Sequence, residues 1–244
     1  MKAIILAAGV GSRLKKLSKE TPKCLLKLGT TNILDIQIQS FLSQGIKDII
    51  VITGYYSEKI NSVHINKICN KKYRETNMVY SLMQASQLIN DESVIVSYAD
   101  IIFERSVLKC LIDDSNDNVV VVDKNWKDYW VERYGASNID IESLKIINGR
   151  IIEIGKSCTD NRQIDARYVG LMKFSKNTMI EMIGLWDSRN NLNDNSYMTD
   201  MIQVMIDNSI KITAHSINGD WYEIDTEKDY ELAEYNYIKN EDKY

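Results

Sequence analysis

The chain has 244 residues, 44% of them hydrophobic, with 30 Lys and Arg against 34 Asp and Glu and a formal net charge of -4. That is enough to bury one large core but scarcely two independent domains, and without a broad positive field it is not a protein that tracks nucleic-acid duplexes. No apolar run approaches the ~20 residues needed to cross a bilayer, and Cys24, Cys69, Cys110 and Cys158 lack both zinc-site spacing and the density of a disulfide framework, so they are expected to be reduced core thiols.

In chain order, residues 2–7 form a short, almost wholly apolar run that stops at a Gly-containing turn, the pattern of a strand buried on both faces. The opening AIILAAGVG is too short for a signal-peptide core and is followed by Arg13, Lys15 and Lys16, so a cytoplasmic protein is expected. Residues 32–44 carry Leu34, Ile38, Phe41 and Leu42 at helical spacing and end at Gly45. A strand is predicted over 49–53, a helix over 79–89, and a further apolar strand over 94–98 that delivers Asp100. This βαβα alternation predicts an α/β fold with a mostly parallel central sheet flanked by helices.

Beyond Arg105 the pattern changes. A strand is predicted over 119–122, and apolar runs at 144–147 and 150–154 flank Asn148-Gly149, a strong hairpin signal. Together they predict a small β lobe inserted in the sheet. Helices follow over 177–186 and 197–207, then strands over 210–215 and 221–224, the last presenting Asp225. Thr226, with Asp229 three residues on, can cap a final helix that runs through Leu232 to a polar end at 240–244. One domain is expected, with parts at about 1–115 and 116–225 and a C-terminal helix over 226–240.

The segment LAAGVGSRL sets glycines directly after a buried strand, where backbone N–H groups can approach phosphate oxygens unobstructed. Gly9 and Gly11 are the candidates for cradling a triphosphate, with Leu6, Ala7, Ala8 and Ser12 beside them as nucleotide-binding candidates. Arg13 adds a planar, permanently charged donor, and Lys23 a mobile point charge whose approach is stiffened by Pro22, the single proline. These two are the catalytic candidates, able to neutralise charge at a reacting phosphorus. A bare GxG fits a tight strand-to-helix turn, but the extended LAAGxGxRL followed by TPKxLL is far more specific, and it matches neither GxxxxGK[ST] nor GxGxxG. Asp100 in VIVSYAD and Asp225 in WYEID follow predicted strands, where carboxylates can hold a divalent cation; singly, each is also a good turn former or helix cap. His64 and His215 have no neighbouring ligand cluster and are given no role.

This combination resembles the signature of the nucleotidyltransferases that make nucleoside-diphosphate sugars and CDP-activated headgroups. The later segments TNMVYSL, SYADIIF, VVVDKNW, IIEIGK, YVGLMKFS and YMTD look like the cytidylyltransferases that act on phosphocholine, aminoalkylphosphonates or phosphoglutamine, while Lys156 lacks the proline that follows in hexose-phosphate enzymes. The resemblance implies a Rossmann-like sheet, Mg2+ held by Asp100 and Asp225, and CTP or another nucleoside triphosphate bound near Asn77, Ser81, Tyr98 and Ala99 as well as the loop. It makes the β lobe the acceptor side, with Lys124 and Lys156 on the phosphate or phosphonate of a small acceptor. Trp126, Trp130 and Tyr168, with Tyr129 and Tyr222, could enclose a cationic amine, with Glu223 or Asp123 as counter-charge.

The implied reaction joins the α-phosphate of CTP to the acceptor, releases pyrophosphate and needs no covalent enzyme intermediate. Its CDP-linked product suits decoration of a cell-surface glycan or lipid. Two alternatives stand beside it: a hexose 1-phosphate enzyme using UTP or dTTP, and a catalytically silent nucleotide-binding regulatory subunit. No nucleic-acid partner or membrane insertion is expected, and exposed aromatic residues could mark a homodimer contact.

Overall fold

The computed structural model describes residues 1–14, 17–89, 92–189 and 191–244. Lys15 and Lys16, the cations that follow the first strand, lie outside the described residues. The first apolar run is strand β1 (Lys2–Ala7), and the loop after it returns through two short strands, β2 (Lys27–Leu28) and β3 (Thr31–Asn32). Asn32 then caps helix α1 (Ile33–Ser43), its side chain accepting from the Asp35 amide. There follow β4 (Ile49–Thr53), β5 (Asn66–Cys69), α2 (Met78–Met83), β6 (Val94–Tyr98) and β7 (Ile101–Phe103). The second half contains α3 (Arg105–Asp113), β8 (Val119–Asp123), α4 (Trp126–Tyr134), the hairpin β9 (Glu142–Ile147) and β10 (Arg150–Ser157), and β11 (Arg167–Phe174). It closes with α5 (Lys176–Asp187), α6 (Met198–Asp207), β12 (Thr213–Ile217), β13 (Trp221–Glu223) and α7 (Glu227–Lys239).

Nine strands form one sheet in the order β5-β4-β1-β6-β11-β8-β12-β10-β9. β5, β4, β1 and β6 pair in parallel, and so do β8 and β12; β11 and β10 pair antiparallel with both of their neighbours. Seven strands therefore share the direction of β1. β4 and β8 are buried at every position, as strands covered on both faces must be. The predicted β lobe is the β9–β10 hairpin, hung on the sheet edge by the pairing of Arg150 with Thr213. Asn148 (φ 51°) and Gly149 (φ 76°) supply the two positive φ values of its tight turn.

The elements depart from the sequence expectation in places. α2 ends at Met83 rather than near 89, because the bonds from Gln84 to Ser81 and from Ala85 to Leu82 tighten the chain into a three-residue-per-turn form that continues over Ser86–Leu88. β12 starts at Thr213 rather than 210 because the Ile210 N–H closes α6 by donating to Met205 O, after Ser209 has turned left-handed at φ 65°. β11, between β6 and β8, was not expected as a strand; its run is broken by a bulge between Tyr168 and Met172, where Gly170 has φ 89° and a Cβ would lie 2.8 Å from the Tyr98 ring. Of the cysteines only Cys24 is buried, and Cys69 and Cys110 are exposed, so the expectation of four core thiols is corrected.

The sheet and its helices enclose the main core. A second apolar cluster gathers Leu14, Leu26, Leu28, Ile33, Ile102, Ile224, Ala233 and Tyr237, tying the first loop to α7. No helix among the described residues is long and apolar enough to cross a membrane.

Candidate active site

The cleft lies at the C-terminal ends of β1 and β6, where open α/β sheets bind ligands. Its chemistry-bearing side chains are each fixed by a buried neighbour in sequence: Leu14 after Arg13, Cys24 after Lys23, and Ile224 before Asp225. Antiparallel pairing of β13 with β7 matches Glu223 to Ile101, and the Ile224 N–H donates to Asp100 O at 2.8 Å. That ribbon is what brings Asp225 beside Asp100, 125 positions earlier in the chain. Buried Gln37 holds the turn before β7, its Nε2 donating to Tyr98 O at 2.8 Å and Ile101 O at 2.7 Å while its Oε1 accepts from Ser97. In the loop after β1, Gly11 has φ 67° and a Cβ there would meet Lys23 Cβ at 3.3 Å, whereas Gly9 has nothing within 4 Å and leaves open space.

Lys23 Nζ donates to Asp100 Oδ2 at 2.8 Å and to Asp225 Oδ1 at 2.6 Å, and Arg13 reaches the other Asp225 oxygen at 3.1 Å. Burial pulls against the charge on Lys23, but the two carboxylates outweigh it and its pKa is raised. Burial likewise opposes ionisation of Asp225, yet Lys23 and Arg13 prevail and hold its carboxyl below the ordinary range. The Cys24 thiol, pushed up to about 12 by burial, stays protonated and is no nucleophile at neutral pH.

Behind the cleft stands a second ionic group. Arg133, fully buried on α4, grips Asp229 with two bonds (Nε–Oδ1 2.9 Å, Nη2–Oδ2 3.0 Å) and donates to Glu223 at 2.6 Å. Asp229 in turn accepts from the backbone N–H of Asp225 at 3.1 Å and of Thr226 at 2.9 Å, which joins the cap of α7 to the placement of Asp225. The guanidinium also lies over the rings of Trp130, Tyr134 and Tyr129, at 4.6, 4.9 and 5.3 Å from their centroids.

The model of the MobA-like NTP transferase domain matches residues 3–145. The chain belongs to that family. The CTP:phosphoglutamine cytidylyltransferase of Campylobacter jejuni is similar to this nucleotidyltransferase along nearly its whole length: 36% identical over 252 aligned residues, 95% of this chain and 98% of that protein. The choline-phosphate cytidylyltransferase of Streptococcus pneumoniae is 36% identical over 99 residues, 39% of this chain and 43% of that protein. The solved CTP:phosphocholine cytidylyltransferase from Streptococcus pneumoniae shares the fold with a TM-score of 0.75 at 22% identity, covering 96% of this chain and 98% of that one. Among nucleotidyltransferases the chain stands in the cytidylyltransferase branch.

In this nucleotidyltransferase the cleft is lined by every residue that the sequence suggested for nucleotide or metal: Leu6, Ala7, Ala8, Gly9, Gly11, Ser12, Arg13, Lys23, Asn77, Ser81, Tyr98, Ala99, Asp100 and Asp225. The acceptor-side candidates are not brought together in the same way. Trp126 and Trp130 are 1% and 0% exposed and pack edge to face, so the expectation that they enclose a ligand is corrected: hydrophobic burial takes both rings into the core. Lys124 and Lys156 are exposed outside the cleft lining, Lys156 paired with Glu153 at 2.7 Å. Glu223 is committed to Arg133 as its ion-pair partner. Tyr168 is half-buried, with its ring 5.7 Å from that of Tyr98 at the cleft wall.

Several residues of the site were missed from sequence. Tyr73, Thr76 and Met78 line the cleft, and Gly54 lets β4 end against the loop, since a Cβ there would lie 2.6 Å from both Ala8 O and Tyr73 Cβ. Gly54 at the end of an apolar run was the one visible signal. Arg133 had none, because its partners Glu223 and Asp229 are 90 and 96 residues away.

Proposed function

We propose that this nucleotidyltransferase is a cytidylyltransferase that forms a CDP-linked headgroup from CTP and a small phosphate or phosphonate acceptor. An oxygen of the acceptor attacks the α-phosphorus in line, the bond from that phosphorus to the β-phosphate bridge breaks, and pyrophosphate leaves. The observation that carries the reading is the convergence of Lys23 and Arg13 on Asp100 and Asp225, beside the glycine loop and in one cleft. The backbone of Gly9 and Gly11 takes phosphate oxygens, and Lys23 and Arg13 counter the charge that builds on the phosphorus and the departing group. An acceptor phosphate is already anionic near neutral pH, so positioning and charge stabilisation suffice and no general base is required.

The reading includes a magnesium ion. Two carboxylates that share one ammonium fit such an ion, which takes one or two carboxylates and completes its octahedron with water and phosphate oxygens; among the described residues no larger ligand cluster competes for it. Asp100 and Asp225 would hold the ion, and it would supply charge neutralisation across the triphosphate. Lys23 would then exchange its carboxylate partners for phosphate.

For the nucleotide and the acceptor class the support is the long similarity to the Campylobacter jejuni enzyme that acts on phosphoglutamine, with phosphocholine and aminoalkylphosphonate enzymes as further relatives. A matrix of CTP, UTP, dTTP and GTP against phosphoglutamine, phosphocholine, 2-aminoethylphosphonate and glucose 1-phosphate, read by pyrophosphate release, tests it. Turnover is expected with CTP and one of the first three acceptors. Turnover confined to UTP or dTTP with the hexose phosphate would overturn it, and tight CTP binding with no turnover at all would instead favour a silent subunit.

A further inference from the structure

The cleft has two chemically different ends. One carries Arg13, Lys23, Asp100 and Asp225; the other is formed by Tyr73, Thr76, Asn77, Met78 and Ser81, none of them charged. A triphosphate belongs at the first end, which leaves the base at the second.

At that neutral end the hydrogen-bond polarity of one hydroxyl is fixed from behind. Asn70 is 1% exposed and stands outside the lining of the cleft. Its Oδ1 accepts from the Lys72 N–H at 2.9 Å, and since a backbone N–H can only donate, the amide cannot be flipped. Its Nδ2 therefore directs both protons at hydroxyls, Thr76 Oγ1 at 3.0 Å and Ser81 Oγ at 3.0 Å. Thr76 gives its own single proton to Lys72 O at 2.9 Å, so toward the cleft it has only a lone pair to offer. Ser81 also accepts from Asn70 but keeps both its proton and a second lone pair, so it can meet either a donor or an acceptor and does not discriminate.

We infer that Asn70 selects cytosine over uracil, by making Thr76 an acceptor at the base end of the cleft. The inference rests on the proposed use of a nucleoside triphosphate in this cleft. Cytosine presents an amine donor at position 4, the complement of that acceptor. Uracil and thymine present a carbonyl at position 4, which would set acceptor against acceptor at Thr76. Asn70 touches no substrate and is a positioning residue; Thr76 is the group that reads the base.

The test is titration calorimetry of the whole chain with CTP and with UTP in magnesium buffer, with no acceptor present, so that the acceptor assignment plays no part. Wild type should bind CTP more tightly than UTP. Thr76→Val, which keeps the shape and removes the lone pair, and Asn70→Asp, which removes both N–H donors, should each lower the CTP-to-UTP affinity ratio by about tenfold or more while UTP affinity moves less than about threefold. A loss that is equal for both nucleotides would mean a merely structural role and would overturn the inference. Should Asn70→Asp not fold, Thr76→Val decides by the same ratio. A wild type that prefers CTP with variants that keep the ratio defeats this inference alone, whereas a wild type that prefers UTP defeats it together with the cytidylyltransferase reading.

Discussion

Lys23 stands largely buried between Asp100 and Asp225, so its charge depends on them. For Asp225 the sign of the linkage follows from its depressed pKa: the stability it contributes is fully present above the unfolded carboxylate value of about 3.9 and is lost as pH falls through the lower folded value. Denaturant unfolding from about pH 5 downward should therefore lose stability more steeply in wild type than in Asp225→Asn; parallel curves would show that the carboxylate is not held as described. Lys23, with a raised pKa, behaves in the opposite sense, its contribution being lost only as pH rises through a value above that of a free lysine. Gly11 is the neighbouring constraint. Gly11→Ala must adopt a positive φ and press on Lys23 Cβ, and a cost of about 1–2 kcal/mol is expected in urea unfolding, with pyrophosphate release falling more than stability does because Lys23 is displaced.

At the scale of elements, α4, β13 and α7 are held together by Arg133. Arg133→Met keeps the bulk of the side chain but leaves Asp229 and Glu223 without their cation, and a loss of about 3–5 kcal/mol is expected from thermal or urea unfolding. Because Asp229 also accepts from the Asp225 N–H, the same variant should lower turnover at temperatures where it remains folded. A change below about 1 kcal/mol would mean that the pair is no stronger than a surface one. This network also marks what sequence could not show. β1, β4, β6 and β8 were legible because an apolar run needs no partner to be recognised, and the cap at Thr226 because Asp229 lies three residues away. The glycine loop with Arg13 and Lys23 was legible for the same reason of local spacing. β11 was not, since Gly170 interrupts its run for the sake of the Tyr98 ring, nor was α4, whose Trp126 and Trp130 fit both a core and a ligand-enclosing reading until their burial was known. Thr76 and Asn70 stood six residues apart with no pattern to join them.

For the molecule as a whole, the direction shared by seven of nine strands places the ends of β1 and β6 on one edge, and the β7–β13 ribbon folds Asp225 back onto that edge from the far end of the chain. The smaller apolar cluster then locks the loop after β1 against α7, so the cations and the carboxylates meet in one cleft. The backbone that carries these groups is held by buried neighbours, a condition for presenting charge to a reacting phosphorus with little rearrangement of the main chain. The most direct measurement is pyrophosphate release from CTP, magnesium and the accepted phosphate or phosphonate acceptor, compared between wild type and Lys23→Ala at equal folded concentration. The account predicts acceptor-dependent release in wild type and a fall of about a hundredfold or more in the variant; release that is undiminished without the Lys23 ammonium would contradict it.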